Sequence, residues 1–128
     1  MSILVLKRVL LADAATCTFV AVIGIADAAI VAPLLGLPEN IVSIAGWICL
    51  PTAILLGLLA LQAQPNRALM KLIVLGNLGW VAASLAVVAY LGSRMTGIGI
   101  AITIVQAIGV LGFATLEARG GKAIAAAA

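Results

Sequence analysis

Histidine is missing altogether from this sequence, only four residues are acidic, and aromatic residues make up 4%. Without histidine there is no His-based catalytic triad, no His-ligated haem and no histidine for a zinc site, which disfavours haem-carrying four-helix electron-transfer proteins. No glycine-rich loop joins a strand to a helix, so no nucleotide-binding signature is present. The shortage of aromatics and of period-2 alternation argues against a membrane β-barrel. Cysteine is scarce too. Cys17 and Cys49 fall in different apolar runs, at depths about 10 Å apart, too far to bridge, and read as small buried hydrophobes. The expectation is a protein that is not an enzyme, with no metal and no cofactor.

What is present is apolar. Hydrophobic residues make up 66% of the chain and charged residues 9%, with a mean hydropathy of +1.36, the composition of an integral membrane protein. A crossing of a ~30 Å hydrocarbon layer takes about 20 helical residues, so 128 residues hold four crossings and no soluble domain. Helices are expected at about residues 9–33, 41–63, 68–91 and 98–116, separated by GLPEN, QPNR and GSRMTG, with a basic cytoplasmic tail at 117–128. The fold class is therefore all-α, a single transmembrane domain forming a four-helix up-down bundle joined by short turns.

Six of the seven basic residues fall on one side: Lys7, Arg8, Arg67, Lys71, Arg119 and Lys122, with Arg94 alone on the other. The positive-inside rule puts both termini in the cytoplasm. A nucleic-acid partner has no basic domain to rest on. The basic pair before the first apolar run is read as preceding an uncleaved helix rather than a signal peptide, because the run exceeds a signal's short apolar region.

The tetrapeptide ADAA occurs twice in the first run and delivers Asp13 and Asp27. Their spacing leaves them about 40° apart on one helix face and roughly 21 Å apart along it. An intramembrane charge costs ~2.5–3.5 kcal/mol on insertion scales, so each acid is expected to face the bundle with a partner or to be protonated. By depth, Lys71, Arg8 or Arg119 would meet Asp13, and Arg94, Ser84 or Thr103 would meet Asp27. In a structural reading the two acids fix helix register or a partner's helix; in a transport reading Asp27 is the ionisable site. The lack of any further intramembrane relay favours the structural reading, and Asp13 is close enough to the headgroups to be a plain interfacial acid.

Thr52, Asn77 and Gln106 fall near mid-membrane and are expected to hydrogen-bond between helices at ~0.6–2 kcal/mol each; the sharper reading is a polar patch lining a ligand or pigment site. Pro51 frees the carbonyl of Trp47 and kinks the second helix. Small residues mark helix contacts, within or between chains: Gly24 with Ala28, Gly97 with Ala101, Gly76, Gly79 and Ala83, and Gly109 with Gly112. Trp47 and Tyr90 suit an aromatic belt, and Trp80 a packing or partner contact.

Leu37 and Pro38, Gly46 and Pro51, the run Asn77, Trp80, Ser84, and the closing Thr96, Gly97, Gln106, Ala107 and Glu117 together resemble a group of small bacterial four-helix membrane proteins of uncharacterised function. The resemblance implies the topology and a bacterial origin, and no activity. Small multidrug transporters also have four helices at this length, but the glutamate of their first helix has no counterpart here. The expected role is an accessory or assembly subunit in the inner membrane, partnered by lipids and by a larger complex, photosynthetic or respiratory, or by its own copies. The alternative is a small oligomeric transporter or channel using Asp27.

Overall fold

The computed structural model describes residues 1–127, and among these it is entirely helical. The elements are α1 (Ile3–Ala26), α2 (Ala28–Leu35), α3 (Glu39–Leu61), α4 (Arg67–Leu91) and α5 (Gly97–Ala127). All but α2 are long and apolar enough to cross a membrane. Their outward faces carry large apolar residues such as Phe19, Ile30, Leu61 and Val105, as lipid-facing surfaces require.

Side-chain size, rather than hydrophobicity, selects the faces that pack. Ala14, Ala21, Gly24 and Ala28 are buried, with half-buried Cys17 completing a stripe that repeats every seven residues. Val42, Gly46, Cys49, Leu56 and Ala60 form the answering stripe on α3. Helices with such a 3.5-residue seam run side by side, and small residues on it let their backbones approach where lipid removes the hydrophobic incentive to associate. At the closest point a Cβ on Gly24 would lie 2.7 Å from the Gly46 Cα, and one on Gly46 2.8 Å from the Gly24 Cα. Any larger residue at either position forces α1 and α3 apart.

The first apolar run is not one helix of residues 9–33. It begins at Ile3 and breaks at Asp27, whose backbone (φ −123°, ψ 20°) leaves the helical region before α2 resumes. Helix α2 tolerates Pro33 and ends at Gly36, where φ of +70° is a left-handed conformation that glycine adopts without penalty. The turn docks on the start of α5: Thr96 Oγ1 donates to the Leu34 carbonyl at 2.7 Å and accepts from the Gly99 N–H at 2.9 Å. One hydroxyl thus caps α5 and ties it to α2.

The last helix also departs from expectation. Residues 117–127, read as a basic tail, continue α5 without a break. Alanine-rich sequence favours this, and the continuation is anchored by Gly120 and Ile124, both buried. Ile124 joins Leu6, Leu10, Leu56, Leu59, Met70 and Ile73 in the main apolar core. Met1, Ser2, Ile3, Leu6, Gln64 and the end of α5 border one small cleft, so the start of α1, the end of α5 and the α3–α4 turn lie together.

Helix α1 packs chiefly on α3, and α4 on α5; the two pairs meet mainly through α1 and α5, while α3 and α4 barely touch. That asymmetry leaves a groove on the α3/α4 side.

Candidate functional site

Three polar side chains meet where the two helix pairs join. Asn77 lies on the buried α4 stripe with Met70 and Ser84, and Glu117 on the α5 stripe with Val110 and Ile124, each seven residues from its neighbours. Asp13 lies beside Leu10 and Ala14 on α1. Each of the three is about ten residues, roughly 15 Å of helix, from the end of the bundle that holds the termini. Asp13 is 1% exposed and Glu117 0%.

The Asn77 amide nitrogen donates to Asp13 Oδ2 at 2.8 Å and to Glu117 Oε2 at 3.0 Å. An amide has two N–H hydrogens, and both are used on acids. The Cys17 thiol adds a long contact to Asp13 Oδ1 at 3.7 Å. Glu117 Oε1 is buried and has no partner. No lysine or arginine donates to either carboxyl group among the described residues.

A second polar cluster lies further along the same face of α4. Trp80 Nε1 donates to Gln106 Oε1 at 2.7 Å, and Gln106 Nε2 donates to Ser84 Oγ at 2.8 Å and to the Thr103 carbonyl at 2.9 Å. Ser84 donates in turn to the Trp80 carbonyl at 2.8 Å. Asn77, Trp80 and Ser84, three and four residues apart, therefore form one polar edge along α4 facing α5.

Between the pairs lies a cavity of about 320 Å³. Its walls are mostly apolar, including Val20, Leu55, Leu72, Ile73 and Val110, and its polar lining comes from Asp13, Asn77, Thr52, Trp80 and Gln106. Exposed Ile48, Leu72 and Gly76 border it, so it opens sideways between α3 and α4.

Several expectations are corrected. Lys71 is exposed and does not meet Asp13; it is six residues from Asn77, about 120° around α4, and Arg8 and Arg119 are exposed as well. Asp27 lies at the break between α1 and α2, is exposed, and its side chain makes no capping bond. Of its candidate partners, Ser84 is engaged as above and Thr103 with the Gly99 carbonyl at 2.7 Å, while Arg94 is exposed and does not meet it. Thr52 turns back on the Ile48 carbonyl at 2.8 Å instead of bridging helices.

Of the small-residue pairs, Gly24 and Ala28 pack within the chain. Gly76, Gly79, Gly97, Gly109 and Gly112 face open space, with nothing within 4 Å of a Cβ built on them, and Ala83 and Ala101 are exposed. Cys17 and Cys49 both border the cavity, as free thiols. Glu117 stands where the sequence reads as the start of a basic tail. The signal for it was spacing, since Ala107, Val110, Ala114, Glu117 and Ile124 keep one helical stripe.

Among the described residues no group of three or more cysteine, aspartate and glutamate side chains is placed to hold a metal ion. The chain matches no protein-family model, no curated protein and no solved structure.

Proposed function

We propose that this is a multi-pass protein of the bacterial inner membrane, an up-down bundle with both ends in the cytoplasm, that takes a small, mostly apolar cation from the lipid phase into the groove between α3 and α4. The observation that carries the reading is the sideways-open, largely apolar cavity of about 320 Å³ that ends on Asp13 and Asn77. Its volume is that of a small-molecule site, and convergent polar groups on apolar walls orient a ligand. An acid without a basic partner selects positive charge, and the side opening suits a molecule that partitions into lipid. This is the transporter alternative with its ionisable site moved from Asp27 to Asp13.

The test uses benzyltrimethylammonium and its neutral isostere neopentylbenzene, read by Trp80 emission in a Trp47→Phe background, since the chain has two tryptophans. Saturable binding of the cation, weaker by about tenfold or more (~1.4 kcal/mol) for the isostere and in Asp13→Asn, supports the reading. Equal affinity for both probes, or no saturable binding, contradicts it.

The accessory or assembly subunit remains a second reading, favoured by one observation: Gly76 and Gly79 on α4 and Gly109 and Gly112 on α5 are smooth and uncovered, as faces for another helix would be. A larger photosynthetic or respiratory partner recovered in stoichiometric amount from mild detergent supports it; a lone monomer contradicts it.

A further inference from the structure

From the Asp13, Asn77 and Glu117 junction we infer a proton-binding site in the membrane interior: Glu117 and Asp13 share a single proton at neutral pH, carried on Glu117 Oε1.

Donor counting leads there. Two carboxyl groups present four oxygens. Asn77 supplies one N–H to Asp13 Oδ2 and one to Glu117 Oε2, Cys17 reaches Asp13 Oδ1, and Glu117 Oε1 receives nothing. A fully buried carboxylate oxygen without a donor is costly, whereas the same oxygen carrying a hydrogen is itself a donor. Asp13 Oδ2 and Glu117 Oε2 accept from the same Asn77 nitrogen at 2.8 and 3.0 Å, so the two carboxyl groups lie a few ångströms apart and Asp13 is the neighbouring acceptor for an O–H on Glu117.

Charge leads to the same place. Two anions a few ångströms apart in a desolvated interior repel strongly, and each loses its hydration; one shared proton removes the repulsion and halves the buried charge, as in other carboxyl pairs that cannot both ionise. Nothing nearby does this instead. On α1 the neighbouring ionisable groups are Asp13 and Cys17, with Lys7 and Arg8 more than a turn below. On α3 the only such group is Cys49, a free thiol. On α4 Lys71 is exposed, and on α5 Arg119 and Lys122 are exposed. The cavity borders Asp13 and Asn77 but not Glu117, which leaves the proton on the far side of the acid that a ligand would touch. The inference stands whether or not the groove takes a cation.

Infrared spectroscopy of the wild-type protein in lipid at neutral pH tests this without a variant. The chain has two glutamates, Glu39 and Glu117, and the expected result is a carbonyl stretch of a protonated carboxylic acid that shifts when glutamate is 13C-labelled and persists in Glu39→Gln. No protonated-acid band, a band that follows 13C-aspartate alone, or one lost in Glu39→Gln would overturn the assignment. Because no ligand is added, failure here is separate from failure of the cation-binding reading.

Discussion

Asp13 and Glu117 accept hydrogen bonds from one and the same nitrogen, Asn77 Nδ2, at 2.8 and 3.0 Å. This joins α1, α4 and α5 at a single point. Packing elsewhere divides the bundle into an α1/α3 pair and an α4/α5 pair, so the junction is where polar bonding crosses between them.

Replacing Asn77 by leucine removes both N–H donors and keeps the volume. The expected loss is about 1–3 kcal/mol for each carboxyl group left without a donor, measured by reversible unfolding in a detergent–denaturant titration. A change under about 0.5 kcal/mol would mean that the amide is replaceable by water.

Glu117→Gln substitutes a neutral side chain that keeps a donor and an acceptor. Stability within about 1 kcal/mol of wild type is expected, whereas Glu117→Ala should lose more by leaving one Asn77 N–H without an acceptor and a void. Equal losses in the two variants would count against a neutral Glu117.

At the α1/α3 crossing, Gly24→Leu cannot be absorbed, because its Cβ alone would meet Gly46 backbone atoms at 2.7–2.8 Å. A loss of at least about 1–3 kcal/mol is expected from overpacking. Gly109→Ala, with open space before it, should leave the monomer unchanged or slightly stabilised, by up to about 1 kcal/mol. Its effect on any larger assembly, read by size-exclusion chromatography with light scattering, separates lipid-facing from partner-facing use of that surface.

Asp27→Asn should change stability by less than about 0.5 kcal/mol, as exposed positions generally do, and should leave binding of benzyltrimethylammonium unaltered. Loss of that binding in Asp27→Asn alone would return the ionisable site to Asp27.

How much of this could be read from residues alone follows from what hydropathy measures. Runs of leucine, isoleucine and valine disclose how many segments can cross a membrane, because crossing depends on the sum. They say little about facing, because a span apolar on every side has no contrast between lipid and protein. Size carries that information: the seven-residue spacing of Ala14, Ala21 and Ala28 marks the α1 seam, but Gly76 and Gly109 show that small residues also fall on open faces. Asn77 and Gln106 were legible as interhelical donors because their polarity stands out in apolar surroundings. Glu117 was not, since an acid close to arginine and lysine near a chain end reads as interfacial until α5 is seen to run on to Ala127. Asp13 is buried on Asn77 whereas Asp27, at the break between α1 and α2, is exposed, a difference that their shared spacing on one helix face does not disclose.

The most direct measurement is a double-mutant cycle on Asp13→Ala and Asn77→Ala, with unfolding free energies taken in the same lipid–detergent mixture. A favourable coupling of about 0.6–2 kcal/mol between the two positions is expected for a buried bond joining α1 to α4. Additive losses, with no coupling beyond error, would show that the two helices are not tied there and would contradict the junction itself.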